Sequence, residues 1–122
     1  MDKKRLEKHP VANSEVIVTK TGTTMCFDPL SGRHFKSSIE KIQRAENKLN
    51  KQLIHDISGY VSLNEFYDEL GLDHTKVGDD LGWNTENQLD IDFSSQINDQ
   101  NEPEIVIDYL TPPKYNFYYI GC

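Results

Sequence analysis

The sequence predicts an α+β domain, and three observations carry that prediction. First, "QLDIDFSSQI" and "EIVIDYL" alternate apolar and polar residues with period two, the pattern of strands with one buried face. Second, the chain from Lys36 to Ile57 contains no Gly or Pro and repeats its apolar positions near helical spacing. Third, "EVIVT" and "TTMCF" are short β-rich runs joined by "KTG". The expected arrangement is an antiparallel sheet, built from an N-terminal meander and a C-terminal β-hairpin. It packs against one long helix and a short helical hairpin.

Residues 1–13 are charged and interrupted by Pro10, which predicts a flexible basic arm ahead of a single α+β domain over 14–122. Gly22 can supply the positive φ of a hairpin between the first two runs. "DPLSG" predicts a turn and "RHF" a third strand, so 14–36 reads as a meander. In the long helix Ser37 or Ser38 caps the start. Ile39, Ile42, Leu49, Leu53 and Ile57 form the apolar stripe, with Ala45 or Glu46 at the missing step, and Gly59 ends the helix. Lys36, Lys41, Arg44, Lys48 and Lys51 give it a basic outer surface. Ser62 and Glu65 then form an S-x-x-E capping box ahead of the apolar face Leu63, Phe66, Tyr67 and Leu70, which Gly71 terminates. Thr75 can cap a second, short helix over "KVGDDL" that Gly82 stops before Trp83. Finally, Leu89, Ile91 and Phe93 oppose Asp90, Asp92 and Ser94. Ile105, Ile107 and Tyr109 oppose Glu104, Val106 and Asp108, so the hairpin has one apolar and one acidic face.

Charge is distributed unevenly. Residues 1–51 carry eleven Lys and Arg against six Asp and Glu; residues 52–122 carry two against fourteen, within a net charge of −7. Such asymmetry marks either a charged binding surface or two halves that pack on each other. No run of the sequence is apolar enough to span a bilayer, and "MDKKRLEKHP" has no signal core, so a cytoplasmic protein with no membrane partner is expected. Cys26 reads as a small core residue and Cys122 as a free terminal thiol; a pairing between them cannot be inferred from sequence.

Residues 59–84 outline two short helices about a turn, the shape of a DNA-reading helix-turn-helix. Six carboxylates against Lys76 leave that stretch at −5. DNA affinity comes from Lys and Arg that neutralise phosphates, so direct DNA binding is not expected here. "DIDFSSQINDQNE" begins like a calcium loop but places Ser95 and Asn101 where Gly and a bidentate Glu are required. The four histidines follow no zinc spacing, and "KTGTT" lacks the upstream glycine and following helix of a phosphate loop. A nucleophilic Cys26 would need His34 across the meander; a small buried cysteine is the commoner case. No catalytic set, cofactor or metal is expected, and the protein is not read as an enzyme.

"GYVSLNEFYDELGL", "VGDDLGW", "LDIDFSSQ" and "EIVIDY", preceded by "TGTTMCFDPLSGRHF", together resemble an uncharacterised family of small proteins from phages and prophages of Gram-positive bacteria of the streptococcal type. The resemblance covers about residues 20–117. Longer members carry an N-terminal apolar segment with no counterpart in this sequence. Phage origin implies a protein that occupies the basic groove of a host nucleic-acid machine, as anti-CRISPR proteins do against type II effector nucleases, whose channels are lined with Arg and Lys. The expected partner-binding carboxylates are Asp90, Asp92, Glu104 and Asp108 on the hairpin, or Asp79 and Asp80 with Glu65, Asp68 and Glu69 in the helical hairpin. The acidic face is equally readable as a solvated surface. In the alternative, a phage structural or assembly protein self-associates through the aromatic tail Tyr115, Phe117, Tyr118 and Tyr119. A monomer or dimer is expected of the inhibitor.

Overall fold

A computed structural model of the chain describes residues 17–18 and 24–118. The expected arm over 1–13, Gly22, Tyr119 and Cys122 lie outside them. The chain is α+β, in the order β1 (Ile17–Val18), β2 (Thr24–Asp28), β3 (Arg33–Ser37), α1 (Ile39–His55), β4 (Tyr60–Ser62), α2 (Leu63–Leu70), β5 (Leu81–Asn84), β6 (Ile91–Ile97), β7 (Pro103–Tyr109) and β8 (Lys114–Tyr115). Two sheets form, a five-stranded one in the order β1-β3-β2-β7-β6 and a three-stranded one in the order β4-β5-β8.

β2 and β3 pair antiparallel about the expected turn, where Gly32 takes φ +72° and donates its N–H to the Asp28 carbonyl at 2.7 Å. The meander fails at its first strand. β1 pairs parallel to β3 rather than antiparallel to β2, because the other edge of β2 is taken by β7 in parallel register, Cys26 beside Ile105. Cys26 and Phe35, paired across β2 and β3, and Ile107, two residues beyond Ile105 on the same face of β7, are all fully buried.

α1 starts where Ser38 Oγ accepts the Lys41 N–H at 3.0 Å, and it buries Ile42, Ala45, Leu49 and Leu53. It stops at His55, earlier than expected, with Asp56 as its C-cap. The chain turns through Gly59 at φ +70° into β4, so Ile57 falls beyond the helix and is fully exposed, and Ile39 is also exposed. At α2 the capping box forms as expected: Ser62 Oγ accepts the Glu65 N–H at 3.1 Å, and Glu65 Oε2 accepts the Ser62 N–H at 3.2 Å. Gly71 closes α2 in the left-handed conformation at φ +82°.

The second helix of the expected helical hairpin is absent. Residues 76–80 are turns, held by Gly78 N–H on the Thr75 carbonyl at 3.2 Å and Asp80 N–H on that of Val77 at 2.9 Å. Two aspartates at what would be a helix C-terminus oppose the macrodipole. Asn64, buried in α2, supplies a better set of partners than a helix would. Its Oδ1 accepts the Thr75 N–H at 2.9 Å, and its Nδ2 donates to the Thr75 carbonyl at 3.1 Å and to Asp79 Oδ1 at 3.0 Å. Leu81 to Asn84 then form β5, antiparallel to β4. Asn64→Ala is expected to lower the unfolding free energy by about 2–3 kcal/mol, since three part-buried hydrogen bonds lose their partner. Urea denaturation followed by circular dichroism measures it.

β6 and β7 form the expected antiparallel hairpin, and Asn101 accommodates its turn at φ +63°. One apolar cluster joins both sheets and both helices. Within it the Trp83 ring stacks on Tyr109 at 6.3 Å, and Phe66 meets both edge-on.

Candidate functional site

The β6–β7 register sets Asp92 directly opposite Asp108, with Ser94 opposite Val106 and Gln96 opposite Glu104 on the same face. Asp90 and Asp92 are exposed and Asp108 is half-buried. Among the described residues neither Asp92 nor Asp108 makes an ion pair. Asp92 Oδ1 accepts the Phe93 N–H at 2.8 Å and Asp108 Oδ1 accepts from Ser94 Oγ at 3.3 Å. Facing like charges on neighbouring strands cost stability, so this end of the hairpin carries uncompensated negative charge.

Glu104 departs from the sequence reading. It is 1% exposed, with Oε2 accepting from His34 Nδ1 at 2.9 Å and Oε1 from Gln96 Nε2 at 3.1 Å. A carboxylate held on both oxygens inside the protein cannot reach a partner. Four carboxylates around α2 have partners within the chain, although Asp68 and Asp79 remain exposed. Glu65 completes the capping box, Asp79 holds Asn64, and Asp68 Oδ1 accepts from His74 Nε2 at 2.7 Å. Glu69 pairs with Lys48 Nζ at 3.0 Å, which ties the acidic half of the chain to the basic surface of α1. Both side chains are partly solvated, so this pair contributes little stability. It borders a shallow groove of about 220 Å³ lined by Lys41, Arg44, Ala45, Lys48 and Glu69. Asp80 is exposed on the turn before β5.

Cys26 is a free thiol, fully buried. Burial pushes its pKa up to about 11, against the hydrogen bond from the Ser37 backbone, and the nearby Glu104 charge adds to the rise. Cys26 lies opposite Phe35 and Phe27 opposite His34, so Cys26 and His34 project from opposite faces of the β2–β3 ribbon. The thiol is in the wrong protonation state and on the wrong face to be a nucleophile activated by that histidine. Among the described residues no group of three or more His, Cys, Asp or Glu side chains converges as a metal ion would require.

The sequence reading missed one polar centre. Asp28, placed in a surface turn by its Pro29 neighbour, is fully buried. Its Oδ1 accepts from the Tyr109 hydroxyl at 2.6 Å. Its Oδ2 accepts from the Tyr67 hydroxyl at 2.7 Å, from Ser31 Oγ at 2.6 Å and from the Ser31 N–H at 3.2 Å. Arg33 completes the group, donating from Nε to Ser31 Oγ at 2.9 Å and from Nη1 to the Asp73 carbonyl at 2.9 Å, with its guanidinium 4.7 Å from the Tyr67 ring centre. Every oxygen of Asp28 is used within the chain. The centre therefore fastens the β2–β3 turn to α2 and β7; Arg33 Nη2 is buried beside it without a hydrogen-bond partner among the described residues. A signal for it was present: alternation from buried Cys26 puts Asp28 on the same, inward face of β2.

The aromatic tail is partly docked. Phe117 is buried, edge-on to Tyr60 at 5.6 Å, and its carbonyl accepts from Asn84 Nδ2 at 2.9 Å. Tyr115 is 63% exposed and Tyr118 46%.

No helix among the described residues is long and apolar enough to cross a membrane. Neither a curated protein nor a solved structure matches the chain. A family model matches residues 1–118, nearly the whole length, and the chain therefore belongs to DUF6353, a family of unknown function.

Proposed function

We propose that this chain is a phage-encoded, non-enzymatic acidic protein of the bacterial host cytoplasm. It binds and blocks a basic nucleic-acid-binding host protein, with a type II CRISPR effector nuclease as the leading candidate. The observation that carries this reading is the Asp92–Asp108 pair on β6 and β7, with Asp90 one step along the same edge. A groove that expects phosphates presents Arg and Lys at strand-scale spacing, and contact with it would relieve the repulsion the free hairpin bears. Burial takes Glu104 out of the candidate contacts; Glu65, Asp68, Glu69 and Asp79 also hold partners within the fold, so the test is placed on Asp80, Asp90, Asp92 and Asp108. Catalysis has no support from Cys26, whose thiol is buried and stays protonated at neutral pH.

The test is a quadruple variant, Asp80→Lys, Asp90→Lys, Asp92→Lys and Asp108→Lys, assayed against a guide-loaded type II effector nuclease. The parent chain is expected to compete with target DNA, with an association rate that falls steeply as salt rises. The variant is expected to associate at least about tenfold more slowly while its thermal unfolding is unchanged. Equal competition by parent and variant would remove the acidic mimic.

A further inference from the structure

β6 lies at the end of the five-stranded sheet, beside β7 alone, and it is seven residues long. The register determines which of its backbone groups face outward. Leu110 N–H donates to the Asp90 carbonyl at 2.8 Å, and Asn98 N–H to that of Glu102 at 2.9 Å. In an antiparallel ladder the even-numbered residues 90 to 98 therefore bond to β7. Residues 91, 93, 95 and 97 turn their N–H and C=O groups away from it.

One end of this outward row is guarded. Glu46 Oε2, from α1, accepts the Ile91 N–H at 2.9 Å. Asn50, one turn along the same helix, brackets Leu89 by accepting its N–H at 3.2 Å and donating to its carbonyl at 2.9 Å. The Phe93 N–H is turned onto the Asp92 carboxylate. Past Phe93 the guarding stops. Ser94, Ser95, Gln96 and Ile97 are all exposed, Ile97 by 63%. These four contain no charge and no proline, the devices that ordinarily blunt an edge strand. Among the described residues, the N–H groups of Ser95 and Ile97 and the carbonyls of Phe93, Ser95 and Ile97 form an open hydrogen-bonding row.

We propose that this row is a docking edge for an extended Lys- and Arg-rich segment of a partner protein, which joins β6 as a sixth strand of the sheet. The inference rests on the reading above that the partner is basic, and it adds the mode of capture. Charge selects the occupant. Asp90 and Asp92 lie at one end of the edge and Asp99 at the loop end, so the two ends of an added strand would lie near carboxylates while its middle passes uncharged Ser94 to Ile97. A second copy of this chain brings its own net −7 to the same edge and is disfavoured. Main-chain hydrogen bonds hold the segment, and the flanking aspartates choose a basic one.

The probe is a short, end-capped, fluorescein-labelled peptide alternating lysine and valine, titrated by fluorescence anisotropy against the full chain. Ser95→Pro deletes one outward N–H and blocks the edge while leaving every bond to β7 in place, a position where an edge strand tolerates proline. A second probe carries N-methyl groups on alternate amides and so keeps its charge while losing its donors. Both changes are expected to weaken binding by at least about tenfold. The second probe, used with the parent chain, decides the matter if Ser95→Pro disturbs the circular dichroism. No binding of the first probe by the parent chain overturns the proposal, as does binding of the methylated probe at parental affinity. The quadruple lysine variant separates the two readings. If it alone loses binding, the acidic surface stands and strand addition falls; if it binds normally while the methylated probe does not, the added strand stands and the charge reading falls. Sedimentation of the parent chain alone supplies the last outcome: a dimer abolished by Ser95→Pro would give the edge to a second copy and overturn the proposal.

Discussion

Asp28→Ala is expected to lower the unfolding free energy by about 3–5 kcal/mol, measured by urea denaturation. Asp28 is fully buried and accepts from three side-chain hydroxyls and one backbone N–H. Truncation strands the Tyr67 and Tyr109 hydroxyls in the interior and leaves the Arg33 charge without the anion it serves through Ser31. Asp28→Asn keeps the shape and one acceptor oxygen and should cost less, about 1–2 kcal/mol. Tyr67→Phe and Tyr109→Phe each remove one hydroxyl, and in the Asp28→Ala background their further cost should vanish. Additive losses would show that the hydroxyls do not act through Asp28.

The same centre makes an alkaline prediction. Burial raises the pKa of both tyrosines well above the ordinary value of 10, and the Asp28 carboxylate raises them further. An acid whose folded pKa is raised holds its proton in the native state after the unfolded chain has lost it. Its stabilisation is complete below about pH 10 and drains away as pH climbs through the raised folded values. Cys26 adds a loss that begins near the ordinary thiol value of 9.0 and continues to about 11. The unfolding free energy should therefore fall steadily above pH 9. In the double Tyr→Phe variant the part of that fall above pH 10 should shrink.

Gly82→Ala is expected to cost about 3 kcal/mol, because an added Cβ would run into the Val61 carbonyl on the neighbouring strand and into the Phe117 ring. The carbonyl cannot yield without breaking the β4–β5 pairing, in which Ser62 faces Gly82. Phe117 cannot yield without leaving its buried seat. Gly32→Ala is the control. Its φ of +72° strains an L-residue, yet nothing lies within 4 Å of the new methyl, so about 1 kcal/mol is expected. Equal losses at the two positions, compared by denaturation midpoint at constant slope, would show that close approach is not what Gly82 provides.

These two sites also show what sequence can reveal. In the sequence Gly82 reads as the stop of the short helix over "KVGDDL" and Gly78 lies inside that helix. Their actual task is steric: Gly78 passes over the Asn64 side chain as Gly82 does over Val61 and Phe117. Sequence cannot distinguish a glycine that ends a helix from one that admits a neighbour, because the neighbour comes from elsewhere in the chain. The same limit explains Glu104. Alternation assigned it correctly to the face opposite Ile105, but its burial depends on His34, seventy positions away, and on Gln96 across the hairpin.

Local pattern determined the α+β class, the start of α1 at Ser37 or Ser38, the capping box at Ser62, the stop at Gly71 and the two strands of the acidic hairpin. Each of these rests on residues within a turn or a strand of one another, where hydrogen bonds and periodicity act at short range. Tertiary structure alone decided the rest. It placed β1 beside β3, replaced the second helix of the region 59–84 with turns around Asn64, buried Asp28 between two tyrosines, and left the far half of β6 open. Those outcomes are settled by long-range competition for partners, in which a buried polar group or an unpaired strand edge goes to whichever distant segment satisfies it best.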